Sequence, residues 1–206
     1  MDLRRRSLIA AIGLAHAALL NPLAAFGQPR GDYIELKPPL PVDSSGKIEV
    51  LELFWYGCIH CYNLEPALES WTKKLPADVQ FRRMPAVFNR QMAHDAAIFY
   101  AFEALGVLDK LHRPFFDAIH RDRLRTDNAE ALAEWLRKNS IDPKKFDDIQ
   151  KSFGVQSKTK RAAQLTIAYK IDGTPAMAVH GRYTVNAGED LLNTVNALID
   201  ATRKQK

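Results

Sequence analysis

Ile48, Val50, Leu51, Leu53 and Phe54 make an almost unbroken apolar run, and just beyond it the spacing of apolar residues changes character. A short run with no polar side suits a strand covered on both faces, as in a sheet with helices packed on either side. From Cys58 onward the apolar positions are Cys61, Leu64, Leu68, Trp71 and Leu75, whose steps of three and four define one face of a helix. The chain must therefore fold around a buried strand that passes directly into a helix. Cys58 and Cys61 stand at that junction.

These are the only two cysteines in 206 residues, so their compartment decides how they are read. At the N-terminus, Arg4, Arg5 and Arg6 precede an apolar stretch from Leu8 to Leu20, and small residues follow around Ala25 and Gly27. That layout predicts a secretory signal over residues 1–27, with cleavage after Gly27. The apolar stretch is shorter than the roughly 20 residues a membrane span needs. Losing residues 1–27 removes three arginines and Asp2, and the formal charge falls from +5 to +3. So small an excess points to no nucleic-acid partner, and clusters such as Arg121, Arg123 and Arg125 read as solvated faces. Export places the protein in the periplasm, an oxidising space where a disulfide persists.

The full chain, 47% hydrophobic and 26% charged, has the composition of a globular protein, enough for one compact domain with an insertion. After an irregular lead containing Pro38, Pro39 and Pro41, the pattern predicts strands over residues 47–56 and 79–87. Helices are expected over 91–105, 108–121, 128–139, 143–152 and 155–169, with breaks at Gly106, Asp127-Asn128 and Asp142-Pro143. Strand signals return over 176–180 and 182–185 around Gly181, a hairpin turn, and Leu191, Leu192, Val195, Leu198 and Ile199 mark a last helix. Within the first strand, Glu52 is the charge that should be costly to bury, since Glu49 lies nearer the strand's start.

A Cys-x-x-Cys pair at a helix start puts two sulfurs within disulfide reach and leaves the first near the exposed end. Unpaired N–H groups and the helix dipole favour a thiolate there. Cys58 is thus the expected nucleophile and Cys61, one turn deeper, the resolving thiol. His60 adds a second positive charge when protonated. Other readings fit less well. Haem attachment needs a histidine directly after Cys61, where Tyr62 stands, and a structural zinc site needs ligands that His94, His112, His120 and His180 are too scattered to supply. A purely structural disulfide would close a very small loop and stabilise little.

The segment Phe54-Trp55-Tyr56-Gly57-Cys58-Ile59-His60-Cys61 resembles the active site of thioredoxin-fold proteins of the DsbA type, and the likeness extends over the mature chain. It implies an α/β, thioredoxin-like fold at residues 28–90 and 171–206, with an α-helical domain inserted after the second strand at 91–170. Pro66 matches the proline that kinks the active-site helix in that superfamily. Thr174-Pro175 matches its cis-proline loop, which faces the disulfide and pairs with substrate backbone. Glu52 matches a buried acid that relays protons to the inner cysteine. Ile59 stands where the type member has proline, which restores an N–H near the sulfur and leaves the oxidising strength open. The resemblance implies a protein disulfide oxidoreductase without a cofactor. Its partners would be exported proteins with reduced cysteines and a reoxidising membrane protein of the DsbB type. A disulfide isomerase or reductase, and a non-catalytic exported binding module, are the alternatives. Family isomerases carry an N-terminal dimerisation domain for which the mature lead leaves little room, so a monomer is expected.

Overall fold

The computed structural model describes residues 31–44 and 46–205, so the expected export signal lies outside the described residues. The elements run β1 (Ile34–Glu35), β2 (Ile48–Phe54), α1 (Ile59–Thr72), β3 (Val79–Pro85), α2 (Arg90–Ala104), α3 (Leu108–His120), α4 (Ala129–Lys138), α5 (Pro143–Gln150), α6 (Phe153–Ala168), β4 (Ala176–Val179), β5 (Tyr183–Asn186) and α7 (Leu191–Arg203). The strands form one sheet in the order β1-β5-β4-β2-β3. β2 is buried along its whole length, parallel to β3 and antiparallel to β4.

Alternation along β2 separates two apolar layers. Ile48 and Val50 join Leu68, Met177, Val179, Val195 and Leu198 on one side of the sheet. Leu51 and Leu53 join Phe99, Phe102, Phe115 and Phe116 on the other. Burying each such side chain contributes roughly 1.5–3 kcal/mol before the entropy of ordering the chain is set against it. Glu52 shares the parity of Ile48 and Val50. It therefore occupies, with no exposure at all, a place that period two assigns to an apolar residue.

Three expectations are corrected. The proline-containing lead is not wholly irregular: β1 pairs with β5, Ile34 opposite Thr184, and covers what would otherwise be an open edge. Two residues are too few to show alternation, and the pairing comes from the partner strand. Helices α2–α6 consequently follow the third strand of the chain, not the second. Glu49 is also 2% exposed, although it lies near the strand's start. Arg82, 2.9 Å from its carboxylate, and the Asp43 N–H compensate that burial.

Local chemistry sets the breaks. Gly106 takes φ 69 and lets Val107 N–H bond back to Phe102 O, closing the end of α2. α6 begins two residues before the expected start because the Ser152 side chain caps it. The β4–β5 hairpin turns through His180 (φ 50) and Gly181 (φ 64), both left-handed, with Arg182 completing a three-residue connection between Val179 and Tyr183. A β-carbon on Gly181 would collide with Leu40 O, so glycine is required twice over there.

Candidate active site

The turn from β2 into α1 is short and closely held. Cys58 N–H donates to Trp55 O at 3.0 Å, and a β-carbon on Gly57 would run into the Trp55 ring. Only glycine allows the indole to lie that close. Cys58 then serves as the N-cap of α1, with φ −87, ψ 114, and its sulfur accepts the Cys61 N–H at 3.3 Å. Both cysteines are free thiols. Cys58 retains 9% exposure and Cys61 none.

The two sulfurs differ sharply in acidity. The hydrogen bond from the Cys61 thiol lowers the Cys58 pKa against the opposing effect of burial, and Thr174 and the backbone N–H groups of Cys61 and His60 lower it further, to about 5. Cys61 moves the other way: burial, then its hydrogen bond to Cys58 and the charge there, hold its thiol well above the usual range. The Thr174–Pro175 peptide is cis, and the Cys58 thiol donates to Thr174 O at 3.2 Å. Elements far apart in sequence thus meet at one sulfur.

Beneath this pair lies a buried polar chain. Glu52 on β2 and Arg83 on β3 are neighbours across the parallel ladder, with Arg83 Nε 3.0 Å from Glu52 Oε2. The contact is off the N–H direction, so neither Glu52 oxygen receives a hydrogen bond. Burial consequently outweighs the Arg83 charge and raises the Glu52 pKa to about 8. Arg83 Nη2 turns to Glu65 on α1 at 3.1 Å. His112 Nε2 lies 3.4 Å from Glu65 Oε1, and Tyr56 OH lies 3.0 Å from His112 Nδ1. A neutral imidazole fits both contacts, accepting from Tyr56 and donating to Glu65, and burial pushes the His112 pKa down accordingly. Glu65, Arg83 and His112 also border a cavity of about 710 Å³ that neither cysteine reaches.

Of the residues singled out in the sequence, Cys58, Cys61 and Thr174 converge directly, with Pro175 next in the chain. Glu52 lies below them, close enough for its charge to act on both sulfurs. His60 is exposed on the first turn of α1, its backbone N–H turned to Cys58. Pro66 sits inside α1, directly after Glu65. Among the described residues no three His, Cys, Asp or Glu gather to hold a metal ion. Sequence reasoning missed Arg83, Glu65, His112 and Tyr56. A signal existed: Glu65 stands four residues from Cys61 and three from Leu68, and His112 three and four from Phe115 and Phe116, so each interrupts an apolar helical stripe.

Residues 76–200 match the model of the DSBA-like thioredoxin domain, a span that begins after both cysteines. The thiol:disulfide interchange protein DsbA of Bordetella parapertussis is 42% identical over 203 residues, 96% of each chain. The protein of that name from Azotobacter vinelandii is 43% identical over 176 residues, 83% of this chain and 82% of the other. In three dimensions the crystal structure of Pseudomonas aeruginosa DsbA superimposes with a TM-score of 0.78 at 38% identity, covering 84% of this chain and 93% of that one. The oxidoreductase DsbA from Xylella fastidiosa gives 0.77 at 30% identity, over 84% and 96%.

Proposed function

The chain belongs to the DsbA-like thioredoxin family and is a thiol-disulfide oxidoreductase, and from that footing we propose that it donates its Cys58–Cys61 disulfide to exported proteins in the periplasm. The observation that carries this reading is the split in acidity between the two sulfurs, one thiol at about 5 and its partner pushed far up. A low pKa at Cys58 stabilises the reduced protein, which makes the disulfide form a ready oxidant. The leader read in residues 1–27 supports export.

In the first step a substrate thiolate attacks Cys58 Sγ. A mixed disulfide forms, the Cys58–Cys61 bond breaks, and its electron pair leaves on Cys61. Cys61 then needs a proton, and Glu52, with a pKa of about 8, holds one at neutral pH. In the second step another substrate thiolate attacks the substrate sulfur of the mixed disulfide and expels Cys58, which remains ionised. The substrate has lost two electrons and gained a disulfide, and the protein has become a dithiol. Thr174 and Pro175 flank Cys58 and offer backbone to an extended substrate, and the His60 imidazole adds charge to the thiolate when protonated. Reoxidation falls to a membrane protein of the DsbB type. We place the redox site in a thioredoxin-like domain of residues 28–90 and 171–206, with the helices of 91–170 as the insertion.

Replacing Cys61 by Ala should trap exported proteins as mixed disulfides on Cys58, visible as non-reducing gel bands that dithiothreitol removes. Cys58→Ala should trap none. Equal trapping by both variants would overturn the assignment of roles.

A further inference from the structure

We propose that Asp95, supplied by helix α2, is a positioning residue for the redox pair, acting through Trp55 on the turn that carries Cys58. Asp95 is 3% exposed and remote from both cysteines in sequence. Trp55 Nε1–H donates to its Oδ2 at 2.6 Å, while Thr126 Oγ1–H and Gln91 Nε2–H donate to Oδ1 at 2.6 and 3.2 Å. Gln91 also bonds Thr126 at 2.9 Å, so the carboxylate sits in a closed set of donors and has little freedom to turn. A buried carboxylate costs several kcal/mol when left without partners. Here every partner but one comes from the helical block, and that one is the indole of the catalytic turn.

Trp55 passes the constraint on in three ways. Its ring rests against the Cα of Gly57, its carbonyl accepts the Cys58 N–H, and its backbone hydrogen-bonds the Cys61 thiol. The next residue is gripped from the same block, since His120 Nε2–H donates to Tyr56 O at 2.8 Å. Thiolate stabilisation at Cys58 depends on donors aimed at its sulfur, the Cys61 thiol first and the Cys61 and His60 N–H groups after it, and such interactions weaken steeply with misalignment. Freeing the indole lets the turn relax, and the donors lose their aim.

This inference rests on the reading that Cys58 is the reactive thiol of the pair. The test titrates Cys58 thiolate absorbance in the full reduced chain, with thermal melts run alongside, and needs no substrate. Asp95→Ala and Trp55→Phe should each raise the Cys58 pKa by about one unit, a tenfold loss of thiolate well below the pKa or about 1.4 kcal/mol. The double variant should go no further than either single one, because both cut the same link. Asp95→Asn keeps an acceptor for the indole and should titrate within about 0.3 units of wild type. The sign matters: deleting a negative charge by itself would make a nearby thiol more acidic. A lowered or unchanged pKa in folded Asp95→Ala, additive singles, or an Asn variant that behaves like Ala would each overturn the role. Should Asp95→Ala not fold, Trp55→Phe, which keeps an aromatic ring but loses the donor and the outer ring that meets Gly57, decides alone. If instead the pKa shifts as stated while Cys61→Ala traps no exported protein, the positioning role stands and the donor function falls.

Discussion

Glu52 and Glu65 are both sealed from solvent, both face Arg83, and they titrate in opposite directions. Burial pushes each carboxyl upward. At Glu65 the His112 hydrogen bond and the charges of Arg83 and Arg113 outweigh it, and the pKa falls below the ordinary value. At Glu52 burial and then the Glu65 charge outweigh the Arg83 contact, which stands off the N–H direction, and the pKa rises to about 8. Burial is common to both sites, so it does not by itself set the outcome; the charges and donors set against it do. Glu65 is thereby a fixed anion that anchors the arginine. Glu52 is left able to change its charge beside two sulfurs.

The harshest way to break that contrast is to remove the shared cation. Arg83→Met leaves Glu65 with the His112 hydrogen bond and the Arg113 charge and should cost about 4 kcal/mol in chemical denaturation, within the range for splitting buried ion pairs. A loss below about 1 kcal/mol would mean that Arg83 holds neither acid in place. Glu65→Gln comes next, at about 2–3 kcal/mol, since the amide still accepts from His112 but no longer balances Arg83. It should also bring the Glu52 pKa down from about 8, because it deletes a negative neighbour and leaves Arg83 to Glu52. Carboxyl-carbon NMR titration reads that shift, and an unmoved Glu52 would show the two acids to be independent.

The mildest change is Glu52→Gln, and it should stabilise the protein. The folded pKa of about 8 exceeds the unfolded value of about 4.3, so between these pH values the unfolded chain has released a proton that the folded one retains. Stability therefore declines as pH rises through that window, and the variant escapes the decline. Its advantage should be absent near pH 4 and widen with each unit of pH up to about 8. Melts across this range that ran parallel for both proteins would show that folding does not raise the Glu52 pKa.

The same contrast bears on what a sequence discloses. The strand, the helix and the cysteine pair were legible because local periodicity and spacing carry them, and Glu52 stood out as a charge inside an apolar run. Thr174 and Pro175 became visible through the family likeness together with their place just before the hairpin, since a Gly-Thr-Pro tripeptide by itself is an ordinary turn. Arg83 stayed hidden because it follows Arg82 in a strand of mixed polarity, and only the β2–β3 register puts one arginine on Glu49 and the other on Glu52. Asp95 and Trp55 meet across forty residues, a pairing that no local pattern records. Polar groups that satisfy one another over such distances look, one at a time, like surface residues.

At Ser152 and Asn128 a side-chain oxygen closes the start of a helix and stays there for the life of the protein. At α1 the closing atom is the Cys58 sulfur, which in the proposed cycle is anionic in one half and bonded to another sulfur in the rest. The mechanical stiffness of that first turn and the electron affinity of the pair are therefore two readings of one free energy. By reciprocity, a binding partner that prises the turn open alters the redox balance without touching either sulfur.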